Sequence, residues 1–262
     1  MTPLKALFFC AALFAAVLPS RAAEPAAAGF TVYMTGDSTM ADYAVVPAQA
    51  LRGWGQMLHM YFKNGVRVDN HAMSGRSCRS FIAEGRWKTV MDRIKEGDYM
   101  IIQFGHNDEK KEDPKRYADP FGDFKNFLAG FVKDVRDKGA HPILVTPVSR
   151  RSFGPDNKIV HSHGDYAVAV RKLAEEEKVP LLDLEARTSE ELEKLGPERS
   201  KAWFMWIPAN EFPGQTEEKQ DSTHFNGYGA NRVCDLAILE IKKNAPDLAK
   251  WVREGNEDPK KR

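Results

Sequence analysis

"TVYMTGDSTMADY" (residues 31–43) is the stretch on which the reading of this chain turns. Thr31 to Met34 carry branched or apolar side chains and no turn former, the composition of a buried β-strand. Gly36, Asp37 and Ser38 then break the run with small polar residues. Such an ending has two explanations. Asp37, Ser38 or Thr39 caps the following turn, or Ser38 is a nucleophile presented at the end of a strand. The residues around this stretch have to choose between them.

Outward from it, strand and helix patterns alternate. The first strand is expected over 30–36. "GWGQMLHMYF" (53–62) places Trp54, Met57, Leu58 and Tyr61 at helical spacing, and "VRVDNHAM" (66–73) reads as a second strand. "RWKTVMDRIKEG" (86–97) is a helix closed by Gly97, and the apolar centre of "DYMIIQFG" (98–105) predicts a strand buried on both faces. A long amphipathic helix follows over 119–139, then a strand over 141–148. A helix capped by Asp165 covers 164–178, and "VPLLDLE" (179–185) is the fifth strand. A helix near 189–204, an irregular segment over 205–225 and a last helix from Asn226 to about Asn244 complete the chain. Five alternations imply an α/β protein: a three-layer α/β/α sandwich around a five-stranded parallel sheet. No Gly-, Pro- or Ser-rich linker divides it, so one domain is expected. Ligand sites of such sheets lie at the carboxyl ends of the strands, which selects the loops at 36–38, 70–75 and 105–108.

The chain has 262 residues and a net charge of +1, with no basic block interleaved with aromatics, so nucleic-acid binding is not expected. Its N-terminus is distinct. Lys5 precedes an apolar run, Ala6 to Leu18, that ends in Pro19-Ser20-Arg21-Ala22-Ala23. This is the pattern of a secretory signal cut near Ala22 or Ala23, and the run is shorter than the ~20 residues of a membrane span. The expectation is a signal at 1–23, a mature chain at 24–262 with no membrane span, and a secreted or periplasmic location. The tail "GNEDPKKR" is charged and expected to fray. Cys78 and Cys234 remain in the mature chain, and the sequence leaves open whether they pair.

A serine needs a base, commonly a histidine oriented by a carboxylate. "DSTHFNGYG" (221–229) supplies Asp221 and His224 three residues apart, just before the last helix. That spacing lets the carboxylate reach Nδ1 while Nε2 faces a serine. Alone, D-x-x-H is weak, since a capping aspartate beside a surface histidine looks the same. Acyl transfer also needs donors for an oxyanion: the Asn107 amide, the Gly75 N–H and the Ser38 N–H are the candidates.

Taken together, "GDST" (36–39), "SGRS" (74–77), "FGHND" (104–108) and "DSTH" (221–224) resemble the four blocks of the GDSL, or SGNH, hydrolases. The resemblance spans about residues 30 to 245 and is closest to the rhamnogalacturonan acetylesterases, through "GDSTMA", "RGWG" (52–55), "GRS" and "GHND". It implies a flavodoxin-like fold and no cofactor. It implies Ser38 as nucleophile, His224 as base, Asp221 as its partner, and Ser38, Gly75 and Asn107 as the oxyanion hole. The implied partner is an acetylated plant polysaccharide. A lipase or thioesterase for longer acyl chains, an acetylxylan esterase, and a non-catalytic sugar-binding module are the alternatives.

Other residues carry competing readings. Asp37, His163 and Trp54 are candidate substrate contacts, against a cap, a helix-start turn and a core side chain respectively. His161, His163 and Asp165 suggest a metal, but a closed site needs more ligands, so none is expected. Lys110, Lys111, Arg76, Arg79, Arg150 and Arg151 follow strands two to four, where some could meet an acidic polymer. His106, beside Asn107, is read as a residue that could hold its loop by a hydrogen bond, and it is assigned no catalytic part.

Overall fold

The computed structural model describes residues 29–46 and 49–255. The expected leader at 1–23 and the tail at 256–262 lie outside the described residues. Five strands, β1 (Thr31–Gly36), β2 (Arg67–Asn70), β3 (Tyr99–Gln103), β4 (His141–Val145) and β5 (Leu181–Leu182), form one parallel sheet in the order β2-β1-β3-β4-β5. The order reverses at β1, between β2 and β3, so a crevice opens beyond the carboxyl ends of the central strands. Alternate residues serve opposite faces. Val32, Met34, Ile101 and Ile143 enter one core, while Tyr33, Met100, Ile102 and Leu144 enter the other.

Both faces are apolar because helices cover both. The helices are α1 (Trp54–Met57), α2 (Cys78–Ala83), α3 (Arg86–Met91), α4 (Lys125–Asp137), α5 (Asp165–Glu177), α6 (Leu184–Arg199), α7 (Gly227–Asn244) and the short α8 (Pro246–Ala249). Side chains of α1, α6, α7 and α8 fill the first core; those of α2 to α5 fill the second. Among the described residues no helix is long and apolar enough to cross a membrane. Cys78 and Cys234 are not joined in a disulfide: both are buried, one in each core, with the sheet between them.

Several elements differ from the sequence expectation for local reasons. β5 has two residues, not seven, because Asp183 turns to cap α6 by accepting the Ala186 N–H at 3.4 Å. Helix α6 therefore starts five residues earlier than expected, and it breaks at Gly196-Pro197, where Gly196 has φ 74°. Asp165 is the first residue of α5 rather than its cap; Gly164 holds the cap position. Helix α2 carries a capping box between Ser77 and Ser80, with serine in place of the usual Glu or Gln. Residues expected to be irregular form an antiparallel ribbon, β6 (Phe204–Ile207) with β7 (Lys219–Phe225). The ribbon matters because β7 carries Asp221 and His224. Its base is fixed by the Phe204–Phe225 ring pair, 5.1 Å apart, and by the start of α7. A Cβ on Gly229 would sit 1.9 Å from the Trp203 carbonyl oxygen, so only glycine lets the helix approach that closely.

Candidate active site

The end of β1 is held as a turn. Asp37 is fully buried and its Oδ1 accepts the Thr39 N–H at 2.9 Å and the Thr39 hydroxyl at 2.8 Å. This Asx-type turn fixes the backbone on either side of Ser38. His106, at the end of β3, sets its Nδ1 3.2 Å from the other Asp37 oxygen. Burial pushes the Asp37 carboxyl up, but His106 and the Thr39 donors outweigh it and hold the group below the usual carboxylate range. Burial in turn lowers His106 to about 4, against the upward pull of Asp37, so the ring is neutral at pH 7.

Chain segments 186 residues apart meet at Ser38: His224 Nε2 lies 2.9 Å from Ser38 Oγ. His224 Nδ1 lies 2.8 Å from Asp221 Oδ2. Asp221 Oδ1 accepts the backbone N–H groups of Thr223 at 2.9 Å and His224 at 3.0 Å. Half-burial works to raise the Asp221 carboxyl; the His224 ring and these backbone donors prevail and hold it at about 2. A charged carboxylate at Nδ1 keeps the proton on that nitrogen, which leaves Nε2 as an acceptor for the serine O–H.

Donors converge on the same spot. Ser38, Gly75, Asn107 and His224 line one cavity of about 320 Å³. Gly75 has φ +80°, a conformation glycine adopts without strain. Among the described residues, neither the Ser38 nor the Gly75 backbone N–H meets an acceptor. The Asn107 amide is oriented from both sides: its Oδ1 accepts Arg116 Nη1 at 3.4 Å, and its Nδ2 donates to the Arg76 carbonyl at 3.1 Å. One Nδ2 hydrogen is left over. The cavity thus combines a hydroxyl, an acceptor nitrogen and three N–H groups without protein acceptors, the set an ester carbonyl needs in order to be attacked.

Other candidates fall elsewhere. Trp54 has no exposed surface and its indole N–H donates to Gln103 at 2.9 Å, so the substrate-contact expectation gives way to a core role. Asp37 is corrected for the same reason: it is sealed under the turn it makes. His163 is 2% exposed, with Nδ1 on Glu109 at 3.0 Å and Nε2 on the Val148 carbonyl at 3.0 Å, and its ring packs on His106, so it too is corrected from a substrate contact to a supporting group. Among the described residues no cluster of three or more His, Cys, Asp or Glu side chains is arranged to hold a metal. Of the cationic candidates, Lys110 and Arg150 line the cavity; Arg79 pairs with Asp123, Arg76 with Glu84, and Arg151 packs 4.8 Å from the Trp206 ring. Two supporting contacts were not foreseen from the sequence. Arg116 orients Asn107, but it carried no signal, lying nine residues away in an irregular loop. His106 stood inside "GHND", yet nothing in the sequence said that its ring reaches back to Asp37.

Residues 34–232 match the GDSL-like Lipase/Acylhydrolase family. A rhamnogalacturonan acetylesterase of Bacillus subtilis is 42% identical over 229 residues, covering 86% of this chain and 96% of that protein. Among solved structures, a Bacillus subtilis protein, YxiM, superposes with a TM-score of 0.68 at 31% identity, over 82% of this chain and 56% of that one. An acetylxylan esterase of Geobacillus stearothermophilus superposes with a TM-score of 0.58 at 18% identity, over 82% and 95%, a likeness of fold alone.

Proposed function

The chain belongs to the GDSL-like Lipase/Acylhydrolase family and is a carboxylic ester hydrolase, and from that premise we propose that it removes acetyl groups from rhamnogalacturonan, the branched acidic glycan of pectin, by a Ser-His-Asp mechanism. Ser38 Oγ attacks the acetyl carbonyl while His224 Nε2 takes its proton. The oxyanion is received by the Ser38 and Gly75 N–H groups and the Asn107 amide. His224 then protonates the departing sugar oxygen, leaving acetyl-Ser38. Water, deprotonated by His224, attacks that ester and releases acetate. Asp221 stays ionised, keeps the ring in the right tautomer and stabilises the imidazolium that forms at each step.

The observation that carries the mechanism is the run of contacts Oγ–Nε2 at 2.9 Å and Nδ1–Oδ2 at 2.8 Å. The substrate reading is supported by the 42% identity to a rhamnogalacturonan acetylesterase and by a cavity whose lining is polar throughout and offers no apolar wall to a long acyl chain. We also propose that the protein is exported, on the pattern of Lys5, the apolar run and the small residues at Ala22-Ala23. The test is acetate release from a panel of purified acetylated polysaccharides by wild type and Ser38→Ala. Release from rhamnogalacturonan by wild type alone is expected. Equal release by Ser38→Ala would remove the nucleophile, and release from acetylxylan only would replace the substrate.

A further inference from the structure

The cavity around Ser38 is electrically one-sided. Lys110, Arg116 and Arg150 line it, and no carboxylate does. The chain as a whole is near neutral, at +1, so this local excess is not a sample of the general surface. Two of the three cations are already engaged from outside the cavity. Arg116 pairs with Asp113 at 2.5 Å, and Arg150 with Glu109 at 2.5 Å. Lys110 is different. It sits half-buried at the cavity wall, three residues after Asn107, and its ammonium meets no acidic or carbonyl partner among the described residues.

A lysine ammonium with no counter-charge of its own is available to an anionic group of a ligand. A concave wall also concentrates the field of its charges on whatever enters. The two arginines are offset by Asp113 and Glu109, so the uncompensated charge of this wall is that of Lys110. An ordinary acetyl ester offers nothing to answer that charge, and the oxyanion is already provided with N–H donors.

We propose that Lys110 binds a uronate carboxylate of the glycan, next to the acetyl ester being cleaved, and so sets the preference of this site for an acidic polymer over a neutral one. The inference rests on the substrate reading above and names the residue that would enforce it. Lys110 grips the carboxylate as a mobile point charge. Its contribution is to holding substrate rather than to bond breaking, so it acts mainly on KM.

The experiment compares one acetylated, uronate-containing oligosaccharide with its carboxyl-reduced counterpart, in wild type, Lys110→Gln and Lys110→Arg. The quantity read is the ratio of the two kcat/KM values within each protein, which cancels any difference in the active fraction. The expected ratio favours the acidic substrate in wild type, falls about tenfold in Lys110→Gln through KM, and is largely kept in Lys110→Arg. Added salt should weaken the acidic preference of wild type and have less effect on Lys110→Gln. A wild-type ratio retained by Lys110→Gln, or a wild type indifferent to carboxyl reduction, overturns the grip while leaving the deacetylation of the glycan standing. A wild type that frees acetate from the reduced substrate and none from the acidic one overturns the substrate reading itself, and the grip with it.

Discussion

Two histidine–aspartate pairs flank Ser38, and they are built for opposite ends. His224–Asp221 hangs on the ribbon strand β7, with side chains 30% and 23% exposed. His106–Asp37 lies under the end of the sheet, at 4% and 0%. In the first pair the aspartate takes one ring nitrogen and the serine hydroxyl meets the other, with solvent near enough to carry protons away. In the second, burial holds the ring neutral and Asp37 spends its other oxygen on the turn that positions Ser38. The same two side chains therefore yield a proton carrier in one setting and a brace in the other. Access to water and the serine hydroxyl at the second nitrogen of His224 make the difference, not the pairing itself.

That contrast can be tested at five residues. Replacement of His224 or Ser38 by alanine should lower turnover by roughly 10⁶, and an acetyl-ester assay on purified, folded variants that kept more than a thousandth of wild-type activity would refute the proposed roles. Asp221→Ala should cost less, around 10⁴, since the ring remains and only its tautomer and charge support are lost. Asn107→Ala should lower kcat by about 10²–10³ with little change in melting temperature, and a loss confined to KM would place the amide outside the transition state.

The smallest effect on rate is expected at His106, where the readout is stability. The folded-state value of about 4 lies below the 6.5 of an ordinary imidazole, so between these the unfolded chain binds a proton that the folded chain does not. Stability should therefore fall as pH drops from about 6.5 to about 4. His106→Asn should flatten that part of a melting-temperature profile. Asp221 behaves in the reverse sense: its carboxyl is depressed to about 2, so its contribution is present above the unfolded value of 3.8 and is lost as pH falls towards 2. A His106→Asn profile as steep as wild type between 6.5 and 4 would move the slope to another group.

Much of this was legible beforehand because the sheet is buried on both faces. The apolar runs at 32–34, 100–102 and 143–145 could belong to few other structures, and the strand-end rule then pointed to Ser38, Gly75 and Asn107 before any contact was known. The ribbon was not legible. β7 reads Lys-Gln-Asp-Ser-Thr-His-Phe, and six of its seven residues are at least partly exposed, so it carries no apolar alternation. β6 has only four residues, and its pairing with β7 is bulged. Helix α2 escaped notice because its six residues are too few to show a period. The supporting partners of the site, His106 with Asp37 and Arg116 with Asn107, depend on how loops fold onto one another, which spacing along a chain does not encode.

Cys78 and Cys234 offer a consequence outside the chemistry of the site. Each is sealed in a different helix layer, and burial keeps the Cys78 thiol far from its reactive thiolate form. A maleimide added to the native enzyme should find neither. Reaction at Cys78 would time the lifting of the layer formed by α2 to α5, and reaction at Cys234 the loosening of α7 from the opposite side. Single-thiol variants would then reveal whether the two halves of the molecule come apart together or in turn.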